Sequence, residues 1–219
     1  MSIALIGGAG EGLGAALGRR FSKEYEVVLS SRTQGERADL REESEVMALF
    51  ERVEQRGPVE VAIFNAGANF RASILDTPAE MFEKVWRLGC YAGFLFGREA
   101  ARRMVARGKG TILFTGATAS IRGSAQFAAF AAAKGGLRQL AQSMARELGP
   151  KNIHVAHVVI DGAIDNRRTR ERMAEQAKDF PPDGMLATDT IAELFWQIHA
   201  QPRSAWTFEA DLRPWAEKF

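Results

Sequence analysis

Apolar residues follow two rhythms along this chain. Short runs that are apolar nearly throughout occur at Ile3–Ile6, at VEVAIFN (Val59–Asn65), at TILF (Thr111–Phe114) and in NIHVAHVVI (Asn152–Ile160). Such runs predict strands of a sheet covered on both faces. EVVL (Glu26–Leu29) and AWTFEADL (Ala205–Leu212) read as further strands. Between them, apolar residues recur at spacings of three and four. AALGRRF reads as a helix, and EESEVMALFERVEQR carries Val46, Leu49, Phe50 and Val53 on one helical face before stopping at Gly57-Pro58. The pattern from Pro78 to Gly108 predicts one long helix, in which Gly89 and Gly93 let another element pack closely. A second long helix is predicted from about Ala125 to Leu148, stopped by Gly149-Pro150, and a last one at Thr188–Ala200. A charged segment occupies 167–184. Alternating strands and helices predict an α/β domain spanning 1–219, built on a single doubly wound parallel sheet with helices on both faces. One step breaks the rhythm. Only Thr33–Glu36 separates the second strand from RADL (Arg37–Leu40), which reads as a third. A parallel crossover normally takes a dozen or more residues, so the crossover helix there is expected to be shortened or missing.

Candidate chemistry enters at the first turn. After the first strand, Gly8, Gly12 and Gly14 form G-x-x-x-G-x-G and lead into a helix. Glycines there let a pyrophosphate approach the backbone, and the first helical N–H groups and helix dipole then face that anion. This is the Rossmann arrangement; its alternative is a tight turn without a ligand. In dinucleotide folds an acid at the end of the second strand bonds the ribose of NAD, and a basic residue accommodates the 2′-phosphate of NADP. Ser31 and Arg32 stand there, which favours NADP over NAD, while Glu11 inside the turn opposes it. The bland alternative for Arg32 is a solvated surface residue. Asp39 either bonds the adenine amino group or caps the helix starting at Glu42.

Taken together, these residues resemble the short-chain dehydrogenase/reductase family over essentially the whole chain. Gly8-x-x-x-Gly12-x-Gly14, with Leu13 inside it, matches the cofactor turn of that family. Asp39-Leu40 resembles its adenine-contacting Asp, and Asn65-Ala66-Gly67 its NAG motif. Lys134 matches the lysine of its Tyr-x-x-x-Lys signature. Asp161-Gly162 stands where the family usually has Pro-Gly, and Ile164-Asp165-Asn166 where it usually has Ile-x-Thr at the nicotinamide amide. The resemblance implies hydride transfer between NAD(P)H and a carbonyl or alcohol. It also implies a homodimer or homotetramer built on the helices from Pro78 to Gly108 and Ala125 to Leu148. Of the family's four active positions, Asn maps to Cys90, Ser to Ala117, Tyr to Phe130, and only Lys134 is retained. Neither tyrosine of the chain, Tyr25 or Tyr91, has a lysine four residues later. The family contains a divergent branch with Phe in the Tyr place, which this chain resembles.

These departures set the chemical question. Phe130 has no proton to give, although a positioned general acid contributes about 10²–10⁴ in rate. Ala117 cannot donate to an oxyanion. Thr118 is the candidate substitute for the serine; its bland role is a turn hydroxyl. Lys134 is a proton donor if burial lowers its pKa, and otherwise a ribose ligand. Asp161 and Asp165 lie at the carboxyl end of a strand, as acids or as turn-forming groups. His154 and His157 face opposite sides of their strand, which argues against a metal pair and for packing or surface roles. Cys90 reads as a small buried apolar residue. Phe127, Phe130 and Met173 suit a pocket for a small apolar carbonyl compound.

Charge and composition narrow the rest. With 29 basic and 27 acidic residues and a net charge of +2, no nucleic-acid or membrane partner is expected. One cysteine allows no internal disulfide. No apolar run reaches membrane-spanning length, and Met1-Ser2 leads straight into the first strand, so a cytoplasmic protein without signal peptide is expected. The leading expectation is an NADP-dependent oxidoreductase with a small-molecule substrate and an unusual proton donor. The alternatives are a cofactor-binding sensor or assembly subunit without turnover, and a non-redox enzyme using the same cleft.

Overall fold

The computed structural model describes residues 1–175 and 180–218. Residues 176–179 of the charged segment and the last residue of the chain lie outside the described residues. Seven parallel strands form the main sheet: β1 (Ile3–Gly7), β2 (Glu26–Ser31), β3 (Glu36–Arg37), β4 (Val59–Phe64), β5 (Gly110–Thr115), β6 (Ile153–Ile160) and, last in the chain, β9 (Glu209–Leu212). Their spatial order is β3-β2-β1-β4-β5-β6-β9. The order reverses direction after β1, between β1 and β4, which is where ligands bind in doubly wound sheets. A small parallel pair, β7 (Ile164–Asp165) and β8 (Leu186–Ala187), lies outside this sheet.

Burial explains why the central strands read as continuous apolar runs. Ile3, Leu5, Phe64, Ile112 and Val155 pack beneath helices α2 (Glu43–Glu54), α4 (Ala92–Arg107) and α5 (Ala128–Leu148). Ala4, Ile6, Ile63, Leu113 and Ala156 face α1 (Leu13–Phe21) and α7 (Thr188–His199) on the other side. Each central strand therefore alternates between two apolar cores and has no wet face.

The crossover after β2 is four residues, 32–35, with no helix. Ser31 makes this possible. Its hydroxyl accepts from the N–H of Thr33 at 3.2 Å and of Gln34 at 2.8 Å, and donates to the Gln34 carbonyl at 3.1 Å. Gly35 completes the turn at φ +65°, where a Cβ would stand 2.0 Å from the Leu29 carbonyl oxygen. Strand β3 covers Glu36–Arg37 and not the expected Arg37–Leu40. Beyond Arg37 the chain peels away because Ala38 and Leu40 bury themselves in the core and Asp39 is held by its neighbours.

The segment from Pro78 to Gly108 is not one uniform helix. Helix α3 (Ala79–Trp86) passes through a π-helical turn, Arg87–Tyr91, into α4. At Gly89, Gly93 and Gly97 a Cβ would meet Ala133, Leu137 and Phe114 at 2.9, 2.4 and 2.8 Å. These glycines form the groove that seats α5. Helix α5 starts at Ala128, three residues later than expected, because Gln126 adopts φ +70° and its carbonyl accepts from the Ala72 N–H. The last strand is likewise shorter than its apolar pattern. The residues before it form a 3₁₀ turn, and Trp206 stacks on His154 at 4.8 Å. β9 is fastened to β6 and α5 through Glu209, which accepts from Arg138 at 2.6 and 2.8 Å and pairs with His157 Nδ1 at 3.0 Å.

The turn that replaces the crossover helix is testable. Gly35→Ala is expected to cost about 1–3 kcal/mol, the penalty of forcing a side chain into this conformation, read as a lower urea midpoint. An unchanged midpoint would show that the turn is not held by its left-handed residue.

Candidate active site

The carboxyl ends of β1, β4, β5 and β6 open into two adjoining cavities. The smaller, about 430 Å³, runs from the glycine turn to the end of β2 and is lined by Gly8, Ser31, Arg32, Asp39, Asn65, Ala66 and Gly67 among others. The larger, about 640 Å³, lies over β5 and β6 and is lined by Leu13, Ala117, Thr118, Phe130, Lys134, Gly162 and Ile164 among others. Asn65, Gly67 and Arg168 line both. Gly12, Gly14 and Cys90 line neither.

The glycine turn is shaped by close approach. Gly8 sits at φ +81°, and a Cβ there would stand 2.5 Å from the Ala66 amide nitrogen. A Cβ on Gly14 would stand 2.7 Å from Ala9 Cα. Gly12 caps α1 and supplies no side-chain acceptor, so the first N–H groups of α1 are left for an anion. Asn65 ties the end of β4 to this turn, donating from Nδ2 to the Gly8 carbonyl at 3.3 Å and from its N–H to Gly7 at 2.8 Å.

At the other end of the smaller cavity, Ser31 spends its hydroxyl on the tight turn, while Arg32 is exposed at the tip with no hydrogen bond or ion pair among the described residues. No acid stands at the end of β2; Glu11 is the nearby one in the cavity wall. Asp39 neither caps α2, whose cap position is Glu42, nor leaves its carboxylate open. Arg41 takes both carboxylate oxygens, and this pairing holds the Asp39 carboxyl below its ordinary range.

Lys134 forms the floor of the larger cavity. It is 5% exposed. Its ammonium donates to the Thr115 carbonyl at 2.8 Å and approaches the Ala66 carbonyl at 3.5 Å, and it has no carboxylate partner among the described residues. Burial alone lowers its pKa from 10.5 to about 8. Thr115 Oγ1, in the wall of the same cavity, is buried without a partner. One helical turn before Lys134, Phe130 lies half-buried in the wall with Phe127; Met173 and Phe180 complete the apolar side.

The loop after β5 supplies the polar side. Ala117 offers only backbone, and its N–H donates to Ser120 Oγ at 3.0 Å. Thr118 Oγ1 donates to Asp161 Oδ1 at 2.5 Å. Asp161 is 3% exposed, and its other oxygen faces Arg213 at 3.5 Å. Asp165 is not an available acid, since Arg170 holds it through both oxygens at 2.6 and 2.7 Å.

The remaining candidates lie elsewhere. His154 and His157 do face opposite sides of β6 but are both buried, not surface residues. Burial drives the His157 pKa down to about 4, so the ring is neutral and serves packing. Cys90 sits half-buried in the π-helical turn against Gly136, its thiol pushed up by burial. Tyr25 bonds His199 at the opposite end of the sheet, and Tyr91 packs against Trp86 and Phe94, so neither tyrosine reaches a cavity. Residues not foreseen include Arg168, shared by both cavities, and Arg122 and Arg172 in the wall of the larger one; Asn166, in the Ile-x-Thr place, caps α6 (Arg167–Arg172) through the Thr169 N–H. A basic run could have drawn attention to α6, but nothing local says which arginines face inward.

Sheet order, glycine turn and buried lysine define a dinucleotide-binding α/β protein with a second cavity beside the cofactor cleft. The family model for short chain dehydrogenase matches residues 2–177, and the chain belongs to that family. It is 32% identical over 196 residues to a 3-oxoacyl-[acyl-carrier-protein] reductase, MabA, of Mycobacterium bovis, covering 84% of this chain and 79% of that one. It is 29% identical to versicolorin reductase 1 of Dothistroma septosporum, covering 85% and 77%. Among solved structures, a short-chain dehydrogenase from Rhodopseudomonas palustris superposes with a TM-score of 0.84 at 40% identity, covering 98% of this chain and 99% of that one. An actinorhodin polyketide ketoreductase with NADPH superposes with a TM-score of 0.89 at 21% identity, covering 100% and 98%, and shares the fold. Among the described residues, no helix is long and apolar enough to cross a membrane.

The buried lysine has a consequence for stability. Its pKa lies below the ordinary value, so folding disfavours the charged form. The resulting cost, about 3 kcal/mol, is present in full below about pH 8 and is relieved as pH rises to 10.5. Relative to Lys134→Met, the wild-type chain is expected to gain up to about that amount over this window, measured by urea unfolding of both. A difference that stays flat with pH would overturn the assignment of an uncompensated buried ammonium.

Proposed function

We propose that the chain is an NADP-dependent oxidoreductase interconverting a carbonyl compound and an alcohol, with Thr118 and Asp161 supplying the proton path that a tyrosine supplies elsewhere in the family. The observation that carries this reading is the hydrogen bond from Thr118, in the wall of the cavity that also holds Lys134, to the buried Asp161 behind it. The names of the relatives, reductases and dehydrogenases, support the reaction class.

The cleft fits the cofactor on its own features. The cradle at Gly8 and Gly14 has no room for a Cβ, the first turn of α1 has N–H groups to offer, and Arg32 is an unpaired cation where a 2′-phosphate would lie. Gly8, Gly12, Leu13 and Gly14 would hold the pyrophosphate, and Ser31 and Arg32 the phosphate end. Asp39, Asn65, Ala66 and Gly67 would edge the adenosine and ribose, Lys134 the second ribose, and Gly162 and Ile164 the nicotinamide. When bound, NADPH supplies a hydride to the carbonyl carbon.

The chain's own residues handle the proton. Thr118 donates to a carboxylate, so its oxygen lone pairs are free toward the cavity. In alcohol oxidation the substrate hydroxyl passes its proton to Thr118 Oγ1 as Thr118 passes its own to Asp161. In reduction the proton runs back along the same pair to the carbonyl oxygen. The Lys134 ammonium adds positive charge where the oxyanion develops. Phe130, in the tyrosine place, and Ala117, in the serine place, contribute shape. Cys90, in the asparagine place, takes no part, because it reaches neither cavity. We place the reaction in the cytoplasm and the chain in a homodimer or homotetramer; exposed Phe82, Trp86 and Phe94 on α3 to α4 support the latter.

Three measurements test this. NADPH is expected to quench protein fluorescence at lower concentration than NADH, and Arg32→Glu to abolish that preference. Wild-type turnover is expected within a panel of ketones and aldehydes. Thr118→Val is expected to lower kcat by about 10²-fold or more, in the range of a lost general acid, while leaving NADPH affinity unchanged. NADPH binding without turnover across the panel would favour a cofactor-binding protein, and binding of neither nucleotide would sink both readings.

A further inference from the structure

We infer that this cavity takes a carbonyl substrate bearing an anionic group, a carboxylate or a phosphate, held by Arg122 and Arg172 away from the reacting carbon. The carbonyl part of this inference rests on the proposed reaction; the anion site does not.

Both guanidiniums line the larger cavity, Arg122 from the loop after β5 and Arg172 from the end of α6. Both are exposed, and neither has a hydrogen bond or ion pair among the described residues. Their helix neighbours behave otherwise. Arg167 is paired with Glu171 at 2.8 Å and Arg170 with Asp165 at 2.6 Å. Helix α6 thus neutralises the arginines that face away from the cavity and leaves Arg172 open on it. Elsewhere, guanidiniums beside the core are matched with acids, as Arg103 is with Glu99 and Arg138 with Glu209. Arg168 is also unpaired, but it lines the cofactor cleft as well and is best placed for the cofactor's phosphates.

A net charge of only +2 means that this concentration is local, not a property of the whole surface. Among the described residues, Glu217, against Gly162, is the one acid in the wall of the larger cavity. Two open guanidiniums at a cavity mouth raise its potential and draw anions in. Their planar forks match carboxylate and phosphate oxygens through paired charge-assisted bonds. The same wall carries the apolar side chains of Phe127, Phe130 and Met173. That combination suits a molecule with an anionic group, a hydrocarbon portion and a carbonyl.

The test uses matched pairs with the full-length wild-type chain and NADPH: medium-chain keto acids against their methyl esters, and phosphorylated carbonyl compounds against their dephosphorylated forms. The anionic member is expected to have the higher kcat/KM by about tenfold or more, with the preference shrinking as salt rises. The larger ratio identifies carboxylate or phosphate. In the double variant Arg122→Gln, Arg172→Gln the preference is expected to collapse, while Arg167→Gln retains it. Calorimetry of the hydroxy acid or phosphorylated alcohol products, with NADP present, provides a readout without turnover. Arg-dependent binding of an anionic product with no turnover would leave the anion site standing and overturn the redox reading. Neutral members turned over or bound as well as anionic ones, or an anion preference untouched in the double variant, would overturn the inference.

Discussion

The close approach of α5 to the π-helical turn and α4 is the contact on which the site depends. Gly89, Gly93 and Gly97 recur at four-residue intervals and present a groove without side chains. Ala133 and Leu137 of α5 fill it. Lys134 lies between those two residues in sequence, so the groove that seats them also sets the depth of its ammonium. At Gly89 a Cβ would press directly on Ala133 Cβ, next in sequence to Lys134, and at Gly93 it would displace the Leu137 side chain. The π-helical turn places Gly89 in line with Gly93 while α3 continues outward.

At that depth, water is replaced by carbonyl oxygens and not by a counter-charge. Thr115 and Ala66 receive the Lys134 ammonium, and no acid among the described residues compensates it. The nearby imidazole of His157 is kept neutral by its burial. The buried carboxylate of Asp161 is directed to Thr118 and Arg213 instead. The result is a cavity with a cationic floor, a hydroxyl backed by a carboxylate, an apolar wall and open guanidiniums at the rim. Of these, the buried Lys134 ammonium costs stability where it stands, and Thr118, Lys134, Arg122 and Arg172 all line the same cavity.

Much of the architecture was legible in the residues. Continuous apolar runs gave away the parallel strands because both faces of the sheet are covered, and the four-residue gap after Ser31 already announced the missing crossover helix. The pocket wall of Phe127, Phe130 and Met173 was legible too, since all three stand near strand ends where ligands bind. The errors have a common cause. RADL has strand-like alternation, but Asp39 prefers the adjacent guanidinium of Arg41, and the chain leaves the sheet after Arg37. Cys90 matched a motif position by counting; in the turn around it Leu88 reaches the smaller cavity, while Cys90 itself lines neither. Asp161 and Asp165 were indistinguishable as neighbours in a loop; one lies beneath Thr118, the other on the surface beside Arg170.

The sequence by itself determined the layered sheet, the glycine turn at its first strand, the lysine after an Ala-rich helix start, and the absence of a tyrosine four residues before that lysine. These are properties of periodicity, of residue size and of identity at a fixed spacing along one element, so local reading reaches them. Only the tertiary structure decided which polar groups meet. Thr118 and Asp161 are 43 residues apart and become a hydrogen-bonded pair because β5 and β6 are adjacent and in register. Arg122 and Arg172 come to one cavity because the loops after those strands open on the same edge of the sheet. Distance through space, which no spacing along the chain encodes, separates a scaffold with empty positions from a cavity where a hydroxyl meets a buried carboxylate.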